Sequence, residues 1–134
     1  MILIDTDTLS LTRRPGRSPK AERWMAAQDQ DELFLCVVTI GEVEKGIAQQ
    51  RNVHPDFARA LRDWLTRTED QFINRIWDFD RAAARIWGGL VVRAGNTNPD
   101  TMIAAIALSR GAMVATGNPR HFIPLGVRVV DPFA

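Results

Sequence analysis

Short apolar runs rich in β-formers, separated by helix-like stretches, constrain this chain more than any other feature. They are ILI at 2–4, LFLCVV at 33–38, AMVAT at 112–116 and VRVV at 127–130. LFLCVV is apolar throughout, the pattern of a strand covered on both faces. Strands alternating with helices predict an α/β fold: a three-layer domain with a mostly parallel central sheet and helices on both faces.

Helix signals fill the intervals. Asp5 or Thr6 can cap a helix after the first strand, which Pro15, Gly16 and Pro19 interrupt before a second helix carries Trp24 and Met25 inward. Thr39 and Glu42 have capping-box spacing at the start of a third. Phe57, Leu61, Trp64 and Leu65 recur at helical spacing within 56–69, and 72–79 reads as a strand or a strand plus turn. Asp80 is placed to cap a helix over 81–95 that Gly95 can end, and Asn98-Pro99 opens another. That last segment, TMIAAIALSRG, is apolar on nearly every side and should be central and buried. Trp64, Trp77 and Trp87 read as packing residues rather than base-stacking ones.

The chain has 134 residues, enough for one domain over 1–134 with a single covered core. A net charge of +1 gives no global attraction to nucleic acid or membrane, so any anion site must be local. The single cysteine, Cys36, excludes an internal disulfide framework and reads as a buried apolar residue of a reducing compartment. With no basic segment before Asp5 and no apolar run near the roughly 20 residues of a membrane span, the expectation is a cytoplasmic protein without membrane contact.

Parallel sheets bind ligands beyond the carboxyl ends of their strands, where strand order reverses. Three acids fall in such places: Asp5 ends the first strand, Glu42 follows the second, and Asp100 lies in the first turn of the buried helix. Each alone also has a structural role available, as helix cap, capping-box partner or dipole complement. Together they repel, and a divalent cation relieves that repulsion; carboxylate oxygens suit Mg²⁺ or Mn²⁺. Such a constellation points to metal-dependent phosphoryl chemistry.

MILIDTDTLS raises a competing reading, since an apolar strand followed by Asp-x-Asp-x-Thr is also the mark of phosphatases of the haloacid-dehalogenase kind, in which the first aspartate is a nucleophile. That chemistry needs a lysine late in the chain and an acidic pair after a late strand. The only lysines are Lys20 and Lys45, and the late strand leads into TGNP. Asp5 is therefore read as a metal ligand.

Along nearly its whole length the sequence resembles the PIN-domain endoribonucleases, in particular the VapC-type toxins of bacterial toxin–antitoxin pairs. The matching stretches are ILIDTDTLS, VVTIGEVEKGI (37–47), FDRAAARIWGGL (79–90), PDTMIAAIAL (99–108) and VATGNPRHF (114–122). The resemblance implies a ribonuclease that hydrolyses RNA phosphodiester bonds with metal-activated water. Its metal-binding acids match Asp5, Glu42 and Asp100; Thr6, Asp7, Thr116 and Asn118 are candidates to support them, Asp7 standing where the family more often has Asn. It also implies an antitoxin partner and a homodimer. The alternative within the same fold is a catalytically weak module that binds RNA or a partner protein.

The last motif departs from the family pattern. Thr116-Gly-Asn118-Pro-Arg-His121-Phe122 has no carboxylate where a fourth acid is usual, at Asn118 or His121. One firmly held ion is expected, with any second arriving alongside substrate phosphate. Arg13, Arg14, Arg17, Lys20 and Arg23 form a basic run, either a solvated surface or a contact for RNA phosphates.

Overall fold

The computed structural model describes residues 1–134. Five strands form one all-parallel sheet: β1 (Ile2–Ile4), β2 (Leu33–Cys36), β3 (Ile76–Trp77), β4 (Met113–Ala115) and β5 (Val129–Val130). Their spatial order is β3-β2-β1-β4-β5, so the chain builds outward on one side of β1 and then on the other. The reversal lies between β1 and β4, which pair from Ile2 with Met113 to Ile4 with Ala115. A crevice at the carboxyl ends of these two strands is where an open parallel sheet holds its ligand.

Seven helices cover the sheet: α1 (Thr6–Leu11), α2 (Pro19–Ala27), α3 (Val37–Gln50), α4 (Pro55–Gln71), α5 (Arg81–Ala94), α6 (Pro99–Arg110) and the short α7 (Pro119–Phe122). Two buried clusters show how the strands divide their side chains. Leu3 and Cys36 join the α5 and α6 side, with Leu90, Ile103, Ile106 and Phe122. Their neighbours Ile4 and Leu35 join the opposite side, with Leu9, Val43, Ile47, Trp64 and Leu65. This alternation is the period-two geometry of a strand whose two faces are both covered.

The local signals mostly act as read. Asp80 Oδ1 accepts from Ala83 N at 3.0 Å, and α5 ends on Gly95 at φ 71°, in the left-handed region that favours glycine. Helix α6 is buried from Ile103 through Ala107. Trp64 and Trp77 are core residues, with Trp77 stacked on Phe34 at 4.2 Å between ring centroids, and Trp87 Nε1 donates to Thr101 Oγ1 at 3.1 Å. Trp24 and Met25 are half-buried against the α3 and α4 side.

Several boundaries differ from the sequence reading. The apolar run 33–38 is a strand only to Cys36; Val37 and Val38 already belong to α3. With its start there, Thr39 and Glu42 are too far along the helix to form a capping box, and α3 has no side-chain cap. Within 72–79 only Ile76 and Trp77 pair as strand, because Phe72 closes the last turn of α4 by donating its N–H to Thr68 O at 3.0 Å. The last strand is Val129–Val130, and a short helix with a 3₁₀ turn occupies part of the expected loop between it and β4. No helix is long and apolar enough to cross a membrane.

Candidate metal and active site

Asp5 leaves the end of β1 at the crevice. Its own N–H continues the strand pairing by donating to Ala115 O at 3.1 Å, and its Oδ1 caps α1 by accepting from Thr8 N at 2.9 Å. The capping role is thus real and is compatible with ligation, since a carboxylate has lone pairs on both oxygens. Asp5 is 3% exposed. Burial pushes its pKa up, hydrogen bonds from Thr116 and Thr8 pull it back, and the Asp7 carboxylate raises it further.

Glu42 reaches the same crevice from the second turn of α3. Thr6 Oγ1 donates to Glu42 Oε1 at 2.6 Å and lies 2.9 Å from Thr39 Oγ1, which is buried. The early start of α3 is what turns Thr39 toward Thr6. Burial raises the pKa of Glu42 most; the Thr6 hydroxyl opposes this, and Asp100, Asp7 and Asp5 each raise it. Four carboxylates from three separate segments therefore share one electrostatic environment.

Asp100 occupies the first turn of α6, whose start is fixed by Pro99 at its first position and by Thr101, whose N and Oγ1 both donate to Asn98 O. The Asn98 side chain itself caps nothing. Asp100 Oδ2 lies 2.9 Å from His121 Nδ1. From the β4 side, Thr116 is fully buried, its Oγ1 accepting from Asn118 N at 2.9 Å, while Asn118 Nδ2 donates to Asp7 Oδ2 at 3.4 Å.

Two bonded groups, Thr6 with Thr39 and Glu42, and Thr116 with Asn118 and Asp7, thus flank Asp5, and charge couples Glu42 to Asp5, Asp7 and Asp100. The donors fit a hard divalent cation: they are carboxylate and neutral oxygens, and a cation relieves the mutual repulsion that raises Glu42. No three acidic, histidine or cysteine side chains close around a single point. Glu42 is turned toward Thr6 and Asp100 toward His121.

The basic run lies elsewhere. It follows the C-terminal end of α1, whose six residues separate it from Asp5 by about 9 Å of helix rise. Arg13 is laid over the Phe57 ring, 5.0 Å from its centroid, tying that loop to α4.

Two relationships had little signal in the sequence. His121 was noted only as the place of a missing acid, whereas it is the partner of Asp100. The C-terminal Phe133 packs its ring on Gly117, where an added Cβ would stand 2.9 Å from Phe133 Cδ2.

Comparison with known proteins places this arrangement among relatives. The sequence profile of the PIN domain matches residues 2–123. The plasmid stability protein StbB of Pseudomonas syringae pv. tomato is 32% identical over 141 aligned positions, covering 99% of each chain. Ribonuclease VapC14 of Mycobacterium tuberculosis is 29% identical over 84 positions, 63% of this chain and 78% of its own. Toxin FitB of Neisseria gonorrhoeae is 27% identical with 99% of each chain covered. The crystal structure of FitAcB from the same organism superposes with a TM-score of 0.87 at 26% identity, covering 98% of each chain.

Proposed function

The chain belongs to the PIN-domain family, and from that premise we propose that it is a ribonuclease, the toxin of a toxin–antitoxin pair, hydrolysing RNA phosphodiester bonds. The observation that carries this reading is the convergence of Asp5, Asp7, Glu42 and Asp100: burial raises the pKa of Glu42 most, and the other three carboxylates each add to it. A structural ensemble of caps needs no such crowding; a site for a cation does.

In this reading Asp5, Glu42 and Asp100 would hold Mg²⁺ or Mn²⁺, Glu42 turning from Thr6 and Asp100 from His121 to do so. A bound ion of this kind supplies positive charge that polarises the phosphodiester, activates water and steadies the leaving oxygen. Thr6 orients Glu42, Thr116 fixes the loop by accepting from Asn118 N, and Asn118 restrains Asp7. His121 fixes one rotamer of Asp100. No protein nucleophile is required, and the site opens at the strand ends where an extended phosphate backbone can pass. With one acid fewer than usual in the TGNPRHF segment, a single ion is held firmly. Arg14, Arg17 and Lys20 are free to meet RNA phosphates at the rim, whereas Arg13 is engaged by Phe57. The protein works as one domain in the cytoplasm, forms a homodimer and is restrained by an antitoxin protein.

The test is cleavage of RNA by the antitoxin-free protein with Mg²⁺ or Mn²⁺ against a chelator. Asp5→Asn and Asp100→Asn should each abolish cleavage while circular dichroism shows an unchanged fold. The second reading, a catalytically weak binding module, draws support from the His121 contact, which occupies Asp100 where the family carries another acid. Cleavage that is absent in the wild-type chain, with RNA or partner binding intact, would favour that module.

A further inference from the structure

Beside Asp100 the surface opens into a cleft of about 310 Å³ between the end of α5, the turn into α6 and α7. Its polar lining includes Arg93, Asn96, Asn98, Asp100, Arg120 and His121. Few arginines of the surface pair with an acid, and those of this cleft are not among them. Arg59, Arg62 and Arg110 each pair with an acid, namely Asp56, Glu44 and Asp80. Arg93 and Arg120 pair with none. Arg93 spends one donor on Leu125 O at 3.3 Å, and Arg120 makes no side-chain bond. The only acid of the cleft, Asp100, is engaged by His121.

Two guanidinium groups with most of their fork donors uncommitted are suited to phosphate oxygens, which they bind in bidentate fashion. Two amides stand with them. The Asn98 side chain makes no capping bond, and Asn96 uses its Oδ1 on Asn98 N, which fixes the turn that presents both. Because Asp100 belongs both to this cleft and to the acid cluster, anything bound in the cleft is continuous with a strand whose phosphate lies at the acids.

We propose that this cleft is the subsite for the nucleotide next to the scissile bond, with Arg93 and Arg120 gripping its phosphate and Asn96 and Asn98 facing its sugar and base edge. The inference rests on the ribonuclease reading and deepens it. It assigns the principal backbone contact to the α5–α6 side of the crevice rather than to the basic run after α1. Single-stranded RNA is the ligand: its unstacked base presents its Watson–Crick edge to the amides, whereas in a duplex that edge is used in pairing.

The experiment uses the full chain carrying Asp5→Asn, to prevent turnover, and a fluorescein-labelled random-sequence single-stranded RNA oligonucleotide in Mg²⁺. Fluorescence anisotropy is measured across a salt series. Arg93→Ala and Arg120→Ala should each weaken binding about tenfold at low salt. Each should also reduce the slope of log affinity against log salt by about 0.7. Arg93→Lys should restore most of that slope, and the control Arg59→Ala, in a paired surface arginine, should change neither quantity. Affinity and slope unchanged in both alanine variants overturn the proposal. So does loss confined to binding of the antitoxin, which would make the cleft a protein-docking site. Failure of the underlying reading appears separately: wild-type chain that does not cleave RNA in Mg²⁺, while the two alanine variants still lose RNA binding, removes the nuclease and leaves the subsite.

Discussion

Thr6 Oγ1 donates to Glu42 Oε1 across 2.6 Å, and the same hydroxyl touches Thr39 Oγ1 at 2.9 Å. This chain of oxygens links the segment after β1 to α3 across the crevice. Thr6→Val keeps the volume of the side chain but removes the donor. Glu42 then remains among three other carboxylates with its main compensating bond lost. RNA cleavage should fall about tenfold, in proportion to one lost charge-assisted bond. Thr6→Ser should retain most activity, and a Thr6→Val protein with wild-type kcat/KM would show that Glu42 needs no such support.

The pKa shifts of Asp5 and Glu42 have a stability consequence of definite sign. Both carboxyls are raised, each chiefly by burial, so the folded protein binds protons at a pH where the unfolded chain has released them. Stability then decreases as pH rises from the unfolded values through the raised folded ones, and is regained as pH falls back through that window. Glu42→Gln removes one of these penalties and leaves an oxygen for Thr6 to donate to. The metal-free variant should therefore melt a few degrees above wild type at neutral pH, with a flatter profile on the acid side. It should also be inactive. Thermal melts in chelator between mildly acidic and neutral pH test this, and an E42Q protein that melts lower than wild type would contradict it. In wild type, added Mg²⁺ should raise the neutral-pH melting temperature.

His121 Nδ1 stands 2.9 Å from Asp100 Oδ2. His121→Asp places a carboxylate beside Asp100 in exchange for a ring that bonds to it. Two like charges at that distance destabilise the metal-free protein and strengthen attraction for a divalent ion. Calorimetric titration of the metal-free variant should show Mn²⁺ bound about tenfold more tightly than by wild type, a gain of about 1.4 kcal/mol. Affinity equal to wild type would mean that position 121 does not face the ion.

How much of this was legible beforehand depended on the distance over which each determinant acts. The strand ILI, the Asp80 cap and the Gly95 stop are written in consecutive residues and appear as read. The placing of Asp5 at the end of β1 was legible because a parallel sheet gathers its strand ends on one edge, whereas Glu42 and Asp100 come near it from the second turn of α3 and the first turn of α6. The capping box at Thr39 and Glu42 was misread because apolar Val37 and Val38 are equally at home in a strand or a buried helix. The local pattern does not say which side of Cys36 the chain turns. The bonds from Thr6 to Glu42, from Asn118 to Asp7 and from His121 to Asp100 join segments far apart in sequence, and their choice of partner is set by the packing of whole elements.

The contact between Gly117 and Phe133 is of the same kind and gives the last expectation. Gly117 separates Thr116, whose Oγ1 accepts from Asn118 N, from Asn118, whose side chain holds Asp7. The Phe133 ring lies over this glycine so closely that a methyl would stand 2.9 Å from Cδ2 and 3.0 Å from Cε2. The ring is itself positioned by a turn in which Asp131 Oδ1 accepts from Phe133 N at 2.8 Å. Gly117→Ala must displace either the ring or the loop, at a cost of about 1 to 3 kcal/mol for overpacking. If the loop moves, Thr116 and Asn118 move with it and cleavage falls together with stability. The double variant Gly117→Ala with Phe133→Ala relieves the clash, so its melting temperature should exceed the value obtained by adding the two single effects. A double variant that is merely additive, with the two singles at full activity, would show that the C-terminal ring does not brace the site.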